Sequence, residues 1–517
     1  MSDISNEKMA ATEKTTTGTD SPPPEIHGED IHHQEGPAWM YRKLKLGPIT
    51  LPNYASPPFQ IVFVALVCFL CPGMFNAVNG LGAAGQVGAH DINNANTAVY
   101  STFSVVGFFA GSIANRIGLR LTLGLGGFGY ALYIASILSY NHNQNAGFLI
   151  FAGSLLGVCA GLLWTAQGAV MMAYPPEGSK GKYIAAFWGI FNLGAVIGAL
   201  IPLGQNLHST SDKVQDGTYI AFIVLMACGF VLAGFLCNPF FVRRSDGSRV
   251  IMMKNPTWKS EITGMFQVLL TDWYIVLMFP MFFASNWFYT YHFQDVNLPS
   301  FNIRTRALNN VLYYLAQIIG AWIFGFLLDT TYLRRTTRAK VVMVALFVLT
   351  FVIWGGGYDF QKGYTRESTL GDDNFVPKDF TDPGYVGPMF LYMFYGAYDS
   401  VWQTTSYWLM GALTNNGRKL ACFTGFYKGI QSAGGAISPQ LDANGVSFMA
   451  QFATNWGMLA GSLVIASPVI WLKVKDTTDI DEDLKFTDET RADVLPPAPA
   501  GAVPAAEVGM AERTEKL

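Results

Sequence analysis

Residues 111–120 read GSIANRIGLR, and residues 325–334 read GFLLDTTYLR. Gly111, Asn115 and Arg120 of the first stretch correspond to Gly325, Asp329 and Arg334 of the second, each pair 214 positions apart. A second echo follows: Gln167, Gly181, Ala185, Phe187, Gly189 and Gly198 match Gln403, Gly417, Ala421, Phe423, Gly425 and Gly434, each 236 apart. The spacings differ by 22 because a polar loop, about 359–383, is inserted in the later copy. Both copies lie in long apolar runs, the pattern of a duplicated membrane bundle.

The 517 residues are 51% hydrophobic and only 13% charged, about half the charge of a soluble domain. Runs of about 20 apolar residues are long enough to cross the hydrocarbon layer as helices. They fall near 59–82, 97–116, 119–139, 147–173, 183–204 and 218–242, then 271–293, 308–329, 339–358, 384–411, 420–441 and 448–473. This predicts an all-α integral membrane protein with twelve transmembrane helices in two pseudo-symmetric six-helix halves, 59–242 and 271–475. A cytoplasmic linker at 243–270 joins them, and the polar loop 359–383 faces outward. Residues 1–58 and 476–517 are polar or rich in Ala and Pro, and read as disordered cytoplasmic tails. The loops and their flanks carry 15 Lys or Arg on one side against 6 on the other, which places both termini in the cytoplasm. Plasma and organelle membranes are equally compatible. Gly107/Gly111, Gly157/Gly161, Gly194/Gly198, Gly425/Gly429 and Gly457/Gly461 are spaced for close helix packing.

Several function classes drop out. A net charge of -3 gives no basis for nucleic-acid binding. All six cysteines fall in apolar runs, against a disulfide framework or zinc site, and the Cys68-x-x-Cys71 pair reads as small packing residues. His27, His32 and His33 sit in the polar tail and do not read as a metal site. Gly124, Gly126 and Gly129 spell GxGxxG inside an apolar helix with no strand before it, so no dinucleotide site is implied. P-loop, HExxH and GxSxG sequences are absent. No cofactor, metal or catalytic residue is expected, and no enzyme.

The stretch Gly111-x-x-x-Asn115-Arg116-x-Gly118-x-Arg120 resembles the signature loop of the major facilitator superfamily. An acid usually stands where Asn115 is, and the second copy keeps it as Asp329, with Arg334 as its base. The resemblance implies that Gly111, Asn115, Arg116, Gly118, Arg120, Gly325, Asp329 and Arg334 form gating loops, with no charge pair in the first copy. Cys71-Pro72-Gly73-Met74-Phe75-Asn76-Ala77, running into Asn79-Gly80-Leu81-Gly82-Ala83-Ala84-Gly85-Gln86, is similar to the ion-channel-regulatory Unc family (uncoordinated-ninety-three-like), particularly its fungal members. That resemblance covers about 57–475 and implies a twelve-helix facilitator fold whose members include adaptors as well as carriers.

A charge at the bilayer centre costs about 2.5–3.5 kcal/mol, and two ionisable residues stand well inside the spans: Asp399 and Lys428. They lie at similar depth on neighbouring antiparallel helices, so a salt bridge is feasible, either as a staple or as a substrate or proton site. Gln403, Gln431, Gln167, Asn76, Asn79 and Asn286 are the neutral candidates for substrate binding. Trp164 and Trp402 offer stacking surfaces. Pro72 and Pro280 are expected to bend spans one and seven symmetrically. The leading expectation is a transporter of a small solute or ion by alternating access, with a proton as the candidate coupling ion. The alternative is a non-transporting adaptor for another membrane protein. Beyond these, the partner is the lipid bilayer.

Overall fold

The computed structural model describes residues 36–47, 49–80, 89–206, 216–252, 256–372 and 374–495. The first apolar run forms α1 (Pro57–Cys68), a π-helical turn at Phe69–Gly73, and α2 (Met74–Gly80). Pro72 lies in that turn. Its missing N–H and bulky ring are incompatible with regular α-winding, and the wider turn absorbs both. Then come α3 (Ala89–Ile117), α4 (Leu119–Asn143), α5 (Ala146–Ala173), α6 (Lys180–Asn206) and α7 (Asp216–Ala233). α3 starts well before the predicted 97 because its first turns carry Asn93, Asn94 and Asn96, which dilute the apolar signal.

The predicted linker holds α8 (Trp258–Thr271), opened by a capping box between Thr257 and Ser260. The chain then turns by 80° into the next span. That span is 3₁₀ over Trp273–Met278, α9 over Phe279–Thr290, π-helical over Tyr291–Asn297 and α10 over Leu298–Ser300. Pro280 therefore does not mirror Pro72. It stands in the first turn of α9, where the missing N–H has no partner to lose, and it marks a change from 3₁₀ to α winding. The series continues with α11 (Ile303–Leu328), α12 (Arg335–Gln361), α13 (Arg366–Thr369), α14 (Val386–Leu413), α15 (Gly417–Ala443) and α16 (Phe448–Leu472).

Among the described residues nine helices are long and apolar enough to cross a membrane, ten if the bent pair counts as one. Two more, α14 and α15, have the length, 28 and 27 residues, but not the apolarity. The reason is visible in their burial: Asp399, Gln403 and Thr404–Ser406 on α14, and Lys428, Gln431 and Ser432 on α15, are all turned into the protein. Their polar groups lower the hydropathy without meeting lipid.

Helices α3 and α15 pack along each other, as do α6 and α11, so each pair ties the α1–α7 group to the α9–α16 group. The first contact needs glycine: a Cβ on Gly111 would stand 2.5 Å from the Ala421 carbonyl oxygen. Gly118, at φ +87°, makes the turn from α3 to α4 in a conformation that side-chain-bearing residues rarely adopt. Gly457 and Gly461, by contrast, meet nothing within 4 Å, so that spacing marks no contact.

The disorder expected of the tails does not extend to 36–47, 49–58 or 476–495. Leu44–Leu46 (β1) pairs antiparallel with Ile49–Leu51 (β2), and the Tyr41 hydroxyl donates to the Phe241 carbonyl at 2.9 Å. Two short helices, α17 (Ile480–Leu484) and α18 (Arg491–Val494), dock on the bundle with Asp483, Glu489 and Val494 buried. Specific bonds hold this segment: Thr414 donates to Asp483 at 2.5 Å, and Arg249 pairs with Glu489 at 3.3 Å. The rest of both tails, His27, His32 and His33 included, lies outside the described residues.

Candidate functional site: a central cavity closed at one face

A cavity of about 140 Å³ opens between the two groups of helices. At its floor, midway along α15, are Lys428 and Gln431 with Gln403 of α14. Its walls pass Trp164, Tyr289, Tyr314 and Gln317 and reach Asn76, Asn79, Asn93, Asn96 and Asn286. These asparagines sit toward the helix ends remote from the α3–α4 and α11–α12 turns. Of the eight residues proposed from the sequence for substrate binding, six line this cavity: Lys428, Gln403, Gln431, Asn76, Asn79 and Asn286.

Asp399 and Lys428 do not form the salt bridge that their depths make feasible; two amides stand between them. The Lys428 ammonium donates to Gln431 Oε1 at 2.7 Å, Gln431 Nε2 donates to Gln403 Oε1 at 3.1 Å, and Gln403 Nε2 donates to Asp399 Oδ1 at 3.4 Å. Asp399 lies behind the floor, fully buried, and also accepts from Tyr289 at 3.1 Å, Tyr313 at 3.4 Å and Gln317 at 2.9 Å. The ring stack extends the network: His292 Nδ1 is 3.2 Å from the Tyr313 hydroxyl, and its imidazole lies 4.4 Å from the Tyr395 ring. Lys428 faces three aromatic rings, Trp164 and Tyr427 at 4.7 Å and Tyr407 at 5.2 Å.

Two predicted contributors fall elsewhere. Gln167 is buried below the floor, where its Oε1 accepts from Tyr407 at 3.2 Å and its amide points to Met171. Trp402 is fully buried and donates to the Met281 carbonyl at 3.2 Å. Conversely, Gln317, Asn93, Asn96, Tyr289 and Tyr314 were missed. Gln317 and the asparagines are polar residues in or beside apolar runs and were open to the same argument; the tyrosines carry no such mark.

Below the floor the protein is shut. Asp329 accepts from the Gly181 and Lys182 amides at 2.9 and 2.6 Å, capping the first turn of α6 from the end of α11. Burial pushes the Asp329 carboxyl above its ordinary value, and these two amides oppose that push. Arg334, its expected base, is exposed; the neighbouring Arg335 is the buried one and bonds Glu177. Asn115 takes the related position in the first copy, donating to the Arg418 carbonyl at 3.4 Å. Arg120 bonds the Gly234 carbonyl, and Arg116 stands 6.0 Å over the Trp258 ring. The Lys180 ammonium donates to the Gly411 carbonyl at 2.7 Å and to Asn415 at 2.6 Å, a cation at the C-terminus of α14. The C-terminal segment covers this face: Thr478 donates to Glu177 at 3.0 Å, Thr336 to Asp476 at 2.9 Å, and Arg418 to the Phe486 carbonyl at 2.9 Å.

A helical membrane bundle whose two parts enclose a one-sided cavity defines the class: the chain has the fold of a solute carrier. It belongs to the Major Facilitator Superfamily, whose sequence profile matches residues 61–439, and within it to the UNC93-like proteins. An UNC93-like protein of Schizosaccharomyces pombe is 50% identical over 463 residues, spanning 90% of this chain and 92% of the relative. UNC93-like protein 1 of Arabidopsis thaliana is 42% identical over 439 residues, spanning 84% and 94%. Among solved structures, the transporter FucP in its outward conformation superposes with a TM-score of 0.56 at 13% identity, covering 80% of this chain and 98% of FucP. The proton:xylose symporter XylE superposes with a TM-score of 0.55 at 11% identity, covering 80% and 96%. These two likenesses concern the fold alone.

Proposed function

We propose that this protein is a secondary transporter that moves a small solute or ion by alternating access. One observation carries the reading: the cavity ends at Lys428 and Gln403, and the face beneath is sealed by contacts between the two groups of helices. Such a cavity delivers a solute to mid-membrane from one side only, and its seal is made of contacts a rocking motion can exchange. In this reading the chain has twelve spans in two six-helix halves, 59–242 and 271–475, and both termini are cytoplasmic. The closed face then looks into the cytoplasm. The excess of Lys and Arg in the loops of that face supports the orientation.

The test is a distance measurement in liposomes. Gly178 and Tyr332 are exposed, in loops of the closed face belonging to different groups. Spin labels at Gly178→Cys and Tyr332→Cys, with the one exposed native cysteine removed as Cys228→Ser, should report two distance populations, a short closed one and a longer open one. A single population under every condition of pH and voltage would sink the carrier reading and favour a static adaptor.

A further inference from the structure

We propose that the cavity binds a small organic anion, a carboxylate on an apolar body, and that Lys428 is the residue that holds the carboxylate. Turnover of that anion rests on the transport reading above; its binding does not.

The argument begins with charge. Among the described residues that line the cavity, Lys428 is the single Lys, Arg, Asp or Glu. The nearest opposite charge, Asp399, is withheld from the cavity: both its oxygens are occupied by tyrosine hydroxyls and glutamine amides, and it is fully buried. A solute entering the cavity therefore meets a cation and neutral amides.

The ammonium is also under-used. It has three N–H donors, and Gln431 is its one hydrogen-bond acceptor among the described residues. No carboxylate lies within 4.0 Å of it there, and its other neighbours are ring faces. Ring faces hold a desolvated cation only weakly compared with an anion, so donor capacity and electrostatic attraction remain for a ligand. The wall carries the apolar side chains of Phe103, Leu156, Ala160 and Phe191, which suit the apolar part of such an anion, beside the amides of Asn76, Asn79, Asn93, Asn96 and Asn286. An organic cation would be repelled by Lys428, and a neutral sugar would leave its charge unmatched.

The test uses matched probes on the purified full chain: acetate, phenylacetate and octanoate, each beside its primary amide and the corresponding primary amine. At least one carboxylate should bind and raise the melting temperature, with its amide about tenfold weaker or worse. Lys428→Gln should erase the preference for the carboxylate over the amide, whereas Lys428→Arg should keep it. Should the glutamine variant fail to fold, Lys428→Met takes its place; it removes the charge with an unbranched side chain of similar reach and should likewise erase the preference. Equal affinity for acid and amide, stronger binding of the amine, retention of the preference in Lys428→Gln, or no binding of any carboxylate up to 10-fold above the concentration at which it disturbs an unrelated carrier would each overturn the assignment. Counterflow in proteoliposomes separates the two readings. A carboxylate that binds through Lys428 but never crosses leaves the anion site standing and removes the transporter. A neutral or cationic solute that crosses leaves the transporter and removes the anion.

Discussion

Asp399 shows how far a single residue can be read without coordinates. A carboxylate in an apolar run stands out, and so does an ammonium, because burying either is costly; the structure holds Asp399 fully buried and Lys428 at the cavity floor. The salt bridge that was feasible between them does not form. Depth along neighbouring helices says nothing about the amides that lie between, and Gln403 and Gln431 occupy that space. Gln167 misled in the opposite way: its repeat mate Gln403 faces the cavity, but Gln167 is turned to Tyr407 and Met171 below it. The geometry also sets what Asp399→Asn should do. Four donors converge on the carboxylate, and an amide NH₂ placed among them leaves at least one donor unpaired. The expected cost is about 1–3 kcal/mol, visible as a lower melting temperature of the purified protein. An unchanged melting temperature would mean that these donors find other partners.

The helices were legible where their outer faces meet lipid and less so where they face one another. Spans were found by hydropathy, yet α14 and α15 fall below an apolarity threshold because their inner faces are the most polar in the bundle. Symmetric bends were expected at Pro72 and Pro280; the chain instead takes a π-helical turn at Pro72 and starts a helix at Pro280, a difference that depends on which residue begins the regular winding. Two outcomes follow for the closed face. Gly111→Val should force α3 away from Ala421 and destabilise the closed arrangement by roughly 1–3 kcal/mol, lengthening the Gly178–Tyr332 distance. The second concerns Asp329. Its pKa is raised in the closed face by burial and returns toward its ordinary value when that face opens and water reaches it. Protonation is therefore favoured in the closed form. The closed population should grow as pH falls from neutrality through the raised pKa, and should level off below the ordinary carboxylate range. Asp329→Asn should abolish that slope in the same distance measurement.

For the whole molecule the superfamily fold was legible, because the signature residues stand at their spacing in long apolar runs. The ordered C-terminal segment was not read. Its composition resembles a solvated tail, and its order comes from partners far away in the chain, such as Glu177, Arg249 and Thr414. It bonds to loops of both helix groups at the closed face, so its removal is expected to loosen that face. Deleting residues after Lys475 should shift the closed-to-open ratio of the Gly178–Tyr332 pair toward open by about tenfold, the equivalent of about 1.4 kcal/mol. A ratio unchanged by the deletion would reduce the segment to passive packing.

The separated pair of Asp399 and Lys428 has a consequence at the scale of the membrane voltage. With both residues ionised, the empty centre carries no net charge, so an electric field does almost no work on the protein as it turns over empty. A bound monovalent anion changes this by a full elementary charge, worth about 2.3 kcal/mol for each 100 mV crossed. The loaded step, and that step alone, would then feel an inside-negative potential, which pushes the anion outward.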